Sequence, residues 1–165
     1  MDLEAFGNNN FTIELEDLES VINWSLKQLQ DKVDTNQIYL MGHSRGGGIS
    51  ILKSSQNKHI KKVVSWASVS DFERRILNDK LDLWKERGVA YVFNVRTNQQ
   101  MPLYYQFYED FIANKEMLSI KKASKSLQIP VLIVHGDNDE TVYFKEAEEL
   151  KSWISHSHLL KIEDC

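Results

Sequence analysis

The chain has 165 residues, 42% hydrophobic and 27% charged, which is ordinary soluble globular composition and enough chain to bury one core. Its 20 Lys and Arg against 24 Asp and Glu leave a net charge of −4, and the basic pairs at 61–62 and 121–122 are too short to track a phosphate backbone, which argues against nucleic acid as a partner. The single cysteine, Cys165, excludes an internal disulfide and a Cys-rich zinc site, and no apolar run approaches the roughly 18 residues of a membrane span, so the expectation is a cytoplasmic protein with no membrane partner.

In chain order, residues 1–10 are polar and turn-rich. Leu15, Leu18, Ile22, Leu26 and Leu29 then repeat at helical spacing, with Thr12 as the predicted N-cap and Glu14, Glu16 and Asp17 in the first turn, where the helix dipole favours negative charge. Residues 37–41 (QIYLM) form a short, nearly apolar run, read as a parallel strand covered on both faces. A helix is predicted over about 45–56, strands over 63–67 and 131–134, and a helix over 143–154 with Phe144, Ala147, Leu150, Trp153 and Ile154 on one face. Residues 159–162 give a weaker last strand. This alternation predicts an α/β fold: a mostly parallel sheet flanked by helices. The interval from about 72 to 120 holds no clear strand and is rich in aromatic and long polar side chains; it reads as a helical cap insertion within a single, partial domain spanning 1–165.

Gly42-His43-Ser44-Arg45-Gly46 is a G-x-S-x-G sequence placed directly after a predicted strand and before a predicted helix, the context in which a serine is exposed as a nucleophile. Four of the seven glycines fall between 42 and 48, which the tight turn requires, because a serine at its tip has strained dihedrals and needs small neighbours two places away. The competing readings are a plain tight turn or a phosphate loop, and the latter lacks its G-K-[ST] ending.

GHSRGGG (42–48) resembles the elbow of α/β hydrolases, and HGDNDETV (135–142) resembles their acid loop. The similarity runs in family order over nearly the whole chain, and looks closest to the dienelactone-hydrolase-like and prolyl-oligopeptidase-like bacterial branch. The resemblance implies that Ser44 is the nucleophile, Gly42 and Gly46 are the elbow glycines, the Arg45 backbone N–H is one oxyanion donor, and Asp139 is the triad acid, with Asp137 bonding turn amides. Two alternatives stand beside Asp139: it caps the next helix, or Asp71, after the 63–67 strand, carries the acid.

Family order places the base in the loop after the final strand, just past Cys165. His43 adjoins the nucleophile, His59 precedes a strand, His135 ends the strand before the acid turn, and His156 and His158 precede the last strand; all five read as structural or solvent-exposed. The second oxyanion donor belongs to a loop after an earlier strand, so the resemblance implies a fragment lacking both ends. The implied function is a serine hydrolase cleaving an ester or related acyl bond of a small-molecule substrate through an acyl-enzyme, without cofactor or metal, and inactive without its base. The same triad serves peptidases, amidases and acyltransferases, and a non-catalytic homologue would use the pocket for binding.

Residues 101–108 (MPLYYQFY) line an acyl pocket or pack a cap core, and Arg96 binds a substrate carboxylate or sits as a surface arginine. The oligomeric state is open.

Overall fold

The structure, a computed structural model, describes residues 2–76, 80–95 and 97–165. Where the sequence reads as turn, a short helix α1 (Leu3–Gly7) forms, because the Asp2 carboxylate caps it by accepting the amides of Glu4 and Ala5. Helix α2 (Phe11–Gln28) follows, and its N-cap is Asn10 rather than the expected Thr12. Asn10 Oδ1 takes the Ile13 amide at 2.8 Å, while Thr12 falls inside the first turn with its hydroxyl buried and unpartnered.

Strand β1 (Ile38–His43) passes through Ser44 into α3 (Arg45–Gln56) and β2 (Ile60–Trp66). A 3-10 turn at Glu73–Arg75, α4 (Leu81–Arg87), β3 (Val89–Asn94), β4 (Gln99–Tyr104), α5 (Gln106–Ala113) and α6 (Ile120–Ser126) lead to β5 (Val131–Gly136), α7 (Phe144–Trp153) and β6 (Ser157–Ile162). The four predicted strands form one parallel sheet, in order β1-β2-β5-β6.

The insertion between β2 and β5 is not the purely helical cap that the sequence leads one to expect. Its centre is an antiparallel pair, β3 with β4, in which Pro102 lies opposite Tyr91. Proline is tolerated because a two-stranded sheet consists only of edges. Arg96 lies outside the described residues.

Every crossover in the sheet steps in the same direction, so right-handed connections put α3 and α7 on the same face, and α6 touches both. That face carries the core: Val63 and Ser65 of β2, Val131, Ile133 and His135 of β5, under Ile51, Leu52, Ala147 and Leu150 of the helices. The other face corrects the expectation that β1 is covered on both sides. Tyr39, Met41, Trp66, Leu160 and Ile162 are exposed there among the described residues, because no crossover returns on that side.

Under the sheet, Phe11 of α2 stacks on Phe72 (centroids 4.0 Å apart) and tilts against Phe107 of α5, tying the first helix to the insertion. Helix α3 lies unusually close to the loop leaving β2. A side chain at Gly47 would begin 2.5 Å from Ser68 Cβ, and one at Gly48 would begin 2.7 Å from Ile120 Cδ1 and 3.0 Å from the Phe72 ring. No helix among the described residues is long and apolar enough to cross a membrane.

Gly47→Ala is expected to destabilise the fold by about 1–3 kcal/mol, since the buried Ser68 Cβ cannot turn away. Gly46→Ala, whose added methyl meets nothing within 4 Å, is expected to be neutral or to gain up to about 1 kcal/mol of helix propensity. Urea denaturation of the two variants checks the contrast.

Candidate active site

In a parallel sheet all strands end at one edge, and here that edge collects Ser44 after β1, residues 67–71 after β2, Asp137–Asp139 after β5, and residues 163–165 after β6. Backbone strain gathers at the same place. Ser44 (φ 53°), Ala67 (φ 44°) and Asp164 (φ 56°) are three of the four non-glycine residues with positive φ among those described.

Ser44 has φ 53° and ψ −120°, outside the ordinary left-handed well, and its side chain makes no cap to α3. The turn is held by its backbone: Ser44 N–H donates to Trp66 O at 2.9 Å, and Ser44 O accepts the amides of Gly47 (3.1 Å) and Val69 (3.3 Å). Gly42 makes the bend possible, because a Cβ there would sit 2.2 Å from Gly46 O. The two elbow glycines are therefore not equivalent. The crowded position is 42, and at 46 a methyl would meet open space, so the expected need for a small residue there is not met by any contact among the described residues.

Arg45 opens α3, and its N–H has no carbonyl four residues back within the helix. It follows Ser44 directly in the chain, at the positive end of the helix, where an oxyanion is favoured. The Arg45 side chain is drawn to α2, where Glu14 Oε1 accepts it at 2.8 Å and also takes Asn9 Nδ2 at 2.7 Å.

Asp139 lies two strands from Ser44, roughly 10 Å at about 4.8 Å per strand. Its Oδ1 accepts the amides of Thr141 (2.8 Å) and Val142 (2.9 Å), and Oδ2 lies 3.8 Å from His135 Nε2, beyond hydrogen-bond reach. Partial burial opposes its charge, but the amides of Val142 and Thr141 and the nearby imidazoles of His135 and His43 outweigh that and hold the carboxyl below its usual range. Asp139 does not cap α7, whose N-cap is Tyr143 without a side-chain bond. Asp137 does bind a turn amide, that of Asp164 at 2.9 Å, and pairs with Lys161 at 3.3 Å. Asp71 serves the 3-10 turn, accepting Glu73 N–H at 2.9 Å.

The histidines divide by position. His59 and His156 stand at the starting edge of the sheet; β2 alone, seven residues long, rises about 20 Å or more between that edge and the serine. His158, paired with Leu132, is one step in from that edge. His135 is fully buried, with Nε2–H donating to Val142 O at 2.6 Å, and its Nδ1 is buried and unpartnered. His43 is exposed and tilted against Trp66 at 4.9 Å. Residues 163–165 fold onto the acid turn: Asn138 N–H donates to Cys165 O at 2.9 Å, and Cys165 O lies 2.1 Å from where a Gly136 side chain would begin.

A family model described as BD-FAE matches residues 1–154. The chain belongs to the BD-FAE family. Comparison with curated proteins returns no match. Among solved structures, this BD-FAE chain is similar to Est1E from Butyrivibrio proteoclasticus with ferulic acid bound (TM-score 0.72, 21% identity, 95% of this chain and 60% of that one). It is also similar to a soluble variant of monoglyceride lipase from Saccharomyces cerevisiae (0.71, 15%, 96% and 62%) and to MGS-MChE2, an α/β hydrolase from a lagoon-sediment metagenome (0.62, 17%, 100% and 63%). The fold is that of the α/β hydrolases, and the chain spans about three fifths of the length of these structures.

Two features of the BD-FAE chain differ from or add to the sequence reading. Met101 and Phe107 are buried, Phe107 in the aromatic cluster with Phe11 and Trp84, so packing accounts for these two side chains of the 101–108 segment. A cavity of about 320 Å³ borders Ser70, Asp71, Arg74, Lys115, Glu149 and Trp153 rather than Ser44. What the sequence does not display is the set of charges beside this cavity, at the loop leaving β2. Ser70 N–H and Arg75 Nη2 both reach Glu146, and Arg74 grips Glu149 in two-pronged fashion at 2.9 and 3.0 Å. The available signal was Glu146 itself, a carboxylate in the 146/150/153 stripe of an otherwise apolar helix face.

Asp139, Glu149 and Glu19 are all held below the usual carboxylate range: Glu149 by Arg74 and Ser70 against the opposing effect of burial, Glu19 chiefly by Asn57. A carboxyl depressed on folding contributes stability that is complete above its unfolded pKa, about 4, and is lost as pH falls through its folded value. Stability of the BD-FAE chain is therefore expected to be flat near neutrality and to fall below about pH 4. Asp139→Asn should shallow that acid limb, as read from urea midpoints against pH.

Proposed function

We propose that the chain carries the nucleophile, the acid and one oxyanion donor of a serine esterase. The observation that carries the reading is Ser44 at φ 53°, ψ −120°, on a strand-to-helix turn, with a free helix-first amide beside it and a carboxylate on the same sheet edge. The family match supports it, as do the solved structures of similar fold, one holding ferulic acid and one a monoglyceride lipase.

In this reading Ser44 Oγ attacks the carbonyl carbon of an ester. The hydroxyl proton passes to a histidine base, the new oxyanion is held by Arg45 N–H, and the carbon–oxygen bond to the alcohol breaks as the base returns its proton to the leaving oxygen. Water then repeats the sequence and releases the acid. Asp139 orients the imidazole through Oδ2 while its Oδ1 stays on the turn amides. Strand spacing leaves room between Ser44 and Asp139 for one imidazole bonded at both ends. None of the five histidines is assigned as that base: three lie toward the starting edge, His135 is committed to Val142, and His43 precedes the nucleophile on its own strand. In this reading the base and the second oxyanion donor come from outside these 165 residues, and the base reaches Asp139 over the acid turn, where Asn138 N–H meets Cys165 O.

The 165-residue chain is expected to hydrolyse p-nitrophenyl esters negligibly, and the full-length protein to hydrolyse them well. In the latter, Ser44→Ala and Asp139→Asn should each cost about 10⁴-fold or more in kcat. Aminoacyl amides in the same panel decide between ester and amide bonds. Full-length rates from the 165-residue chain, or activity surviving Ser44→Ala, would refute the reading.

A further inference from the structure

Asp139 is held in place by a peptide group that is itself held. Of the two amides on Oδ1, Val142 N–H belongs to the peptide unit whose oxygen is Thr141 O. That oxygen accepts a hydrogen bond at 2.9 Å from Arg75 Nη1. The other arm of the same guanidinium, Nη2, meets Glu146, which is 3% exposed and takes Ser70 N–H at 2.7 Å. The loop leaving β2 thus reaches the acid turn through one arginine.

We propose that Arg75 is a positioning residue for the triad acid: its guanidinium fixes the 141–142 peptide by the oxygen, aims the N–H end at Asp139 Oδ1, and so leaves Oδ2 to orient the base. This rests on the reading of Asp139 as that acid. A positive charge on the carbonyl oxygen polarises the amide and strengthens its N–H as a donor to the carboxylate, as expected of linked hydrogen bonds in a partly buried site. Only a planar fork serves both ends, because Thr141 O and Glu146 are met by different nitrogens of one group; a lysine ammonium can neutralise Glu146 but cannot hold both in that geometry. Arg74, one residue earlier, is a natural control. It binds Glu149 and Ser70 with similar closeness, stands 4.0 Å from Glu146 Oε2, and does not bond the 141–142 peptide.

The test uses the 165-residue chain, with hydrogen exchange at the Val142 amide and carboxyl-carbon NMR titration of Asp139. Arg75→Ala would strand the buried Glu146, so the variants are Arg75→Lys, which keeps a charge opposite it, and the pair Arg75→Met with Glu146→Gln, which removes both charges. Both are expected to speed Val142 exchange about tenfold or more and to move the Asp139 midpoint upward. Arg74→Lys should move neither. His135 and His43, which also face this carboxyl, and Asp137 with its partner Lys161 are unchanged throughout. In the full-length enzyme Arg75→Lys should lower kcat and leave KM in place.

Folded Arg75 variants with unaltered Val142 exchange and Asp139 midpoint would overturn the proposal, and so would equal shifts in Arg74→Lys. Failure of the triad reading shows separately, as full hydrolysis by Asp139→Asn.

Discussion

The backbone at Gly46 crosses Gly42 so closely that a side chain at 42 would begin 2.2 Å from a carbonyl oxygen. That approach lets a parallel strand turn into a helix within one residue, and the residue at the tip, Ser44, takes up φ 53° and ψ −120°. Strain of this kind costs about 1–3 kcal/mol and persists only where the surroundings over-determine it. Here the surroundings are specific: Trp66 O on the serine amide, Gly47 and Val69 amides on its carbonyl, and Gly47 pressed against Ser68. The hydroxyl makes no cap to α3, and the first amide of that helix belongs to the next residue, Arg45.

Everything else in the site follows from the sheet being parallel. One edge receives the end of every strand, so a serine after β1 and a carboxylate after β5 meet at the same level with β2 between them. The elements of that edge are stitched laterally. Trp66 O takes the serine amide, Val134 O takes Ala67 N–H, the Arg75 guanidinium joins the loop of β2 to the acid turn, and Asn138 N–H takes Cys165 O. Because all crossovers step one way, the helices and the core lie on one face, which keeps the edge bearing Ser44 and Asp139 independent of what covers the other.

Much of this was legible in the residues. The four sheet strands show as short, largely apolar runs, weakest in β6, and α3 and α7 show helical spacing; the G-x-S-x-G and HGDND segments mark the edge itself. The strands run further than apolar content indicates, β1 to His43 and β5 to Gly136, because ladder bonding continues through residues with no hydrophobic signal. The β3–β4 pair was hidden by Pro102 and by polar residues on strands whose two edges are both open. Helix α1 was hidden because its stability comes from the Asp2 cap and from the close approach of Gly7 to Tyr104, where an added Cβ would begin 2.7 Å from the ring, contacts that no local pattern reveals. The Arg75–Glu146 link joins residues 71 apart, and pairing at that range is set by topology rather than by composition.

The central claim is that Ser44 is the reactive group of this edge. Treating the full-length protein with a fluorophosphonate and mapping the adduct by peptide mass spectrometry tests it most directly. The account expects a single phosphonyl group on the peptide containing Ser44. A folded, full-length protein that stays unlabelled at Ser44, or that carries the adduct on another residue, would contradict it.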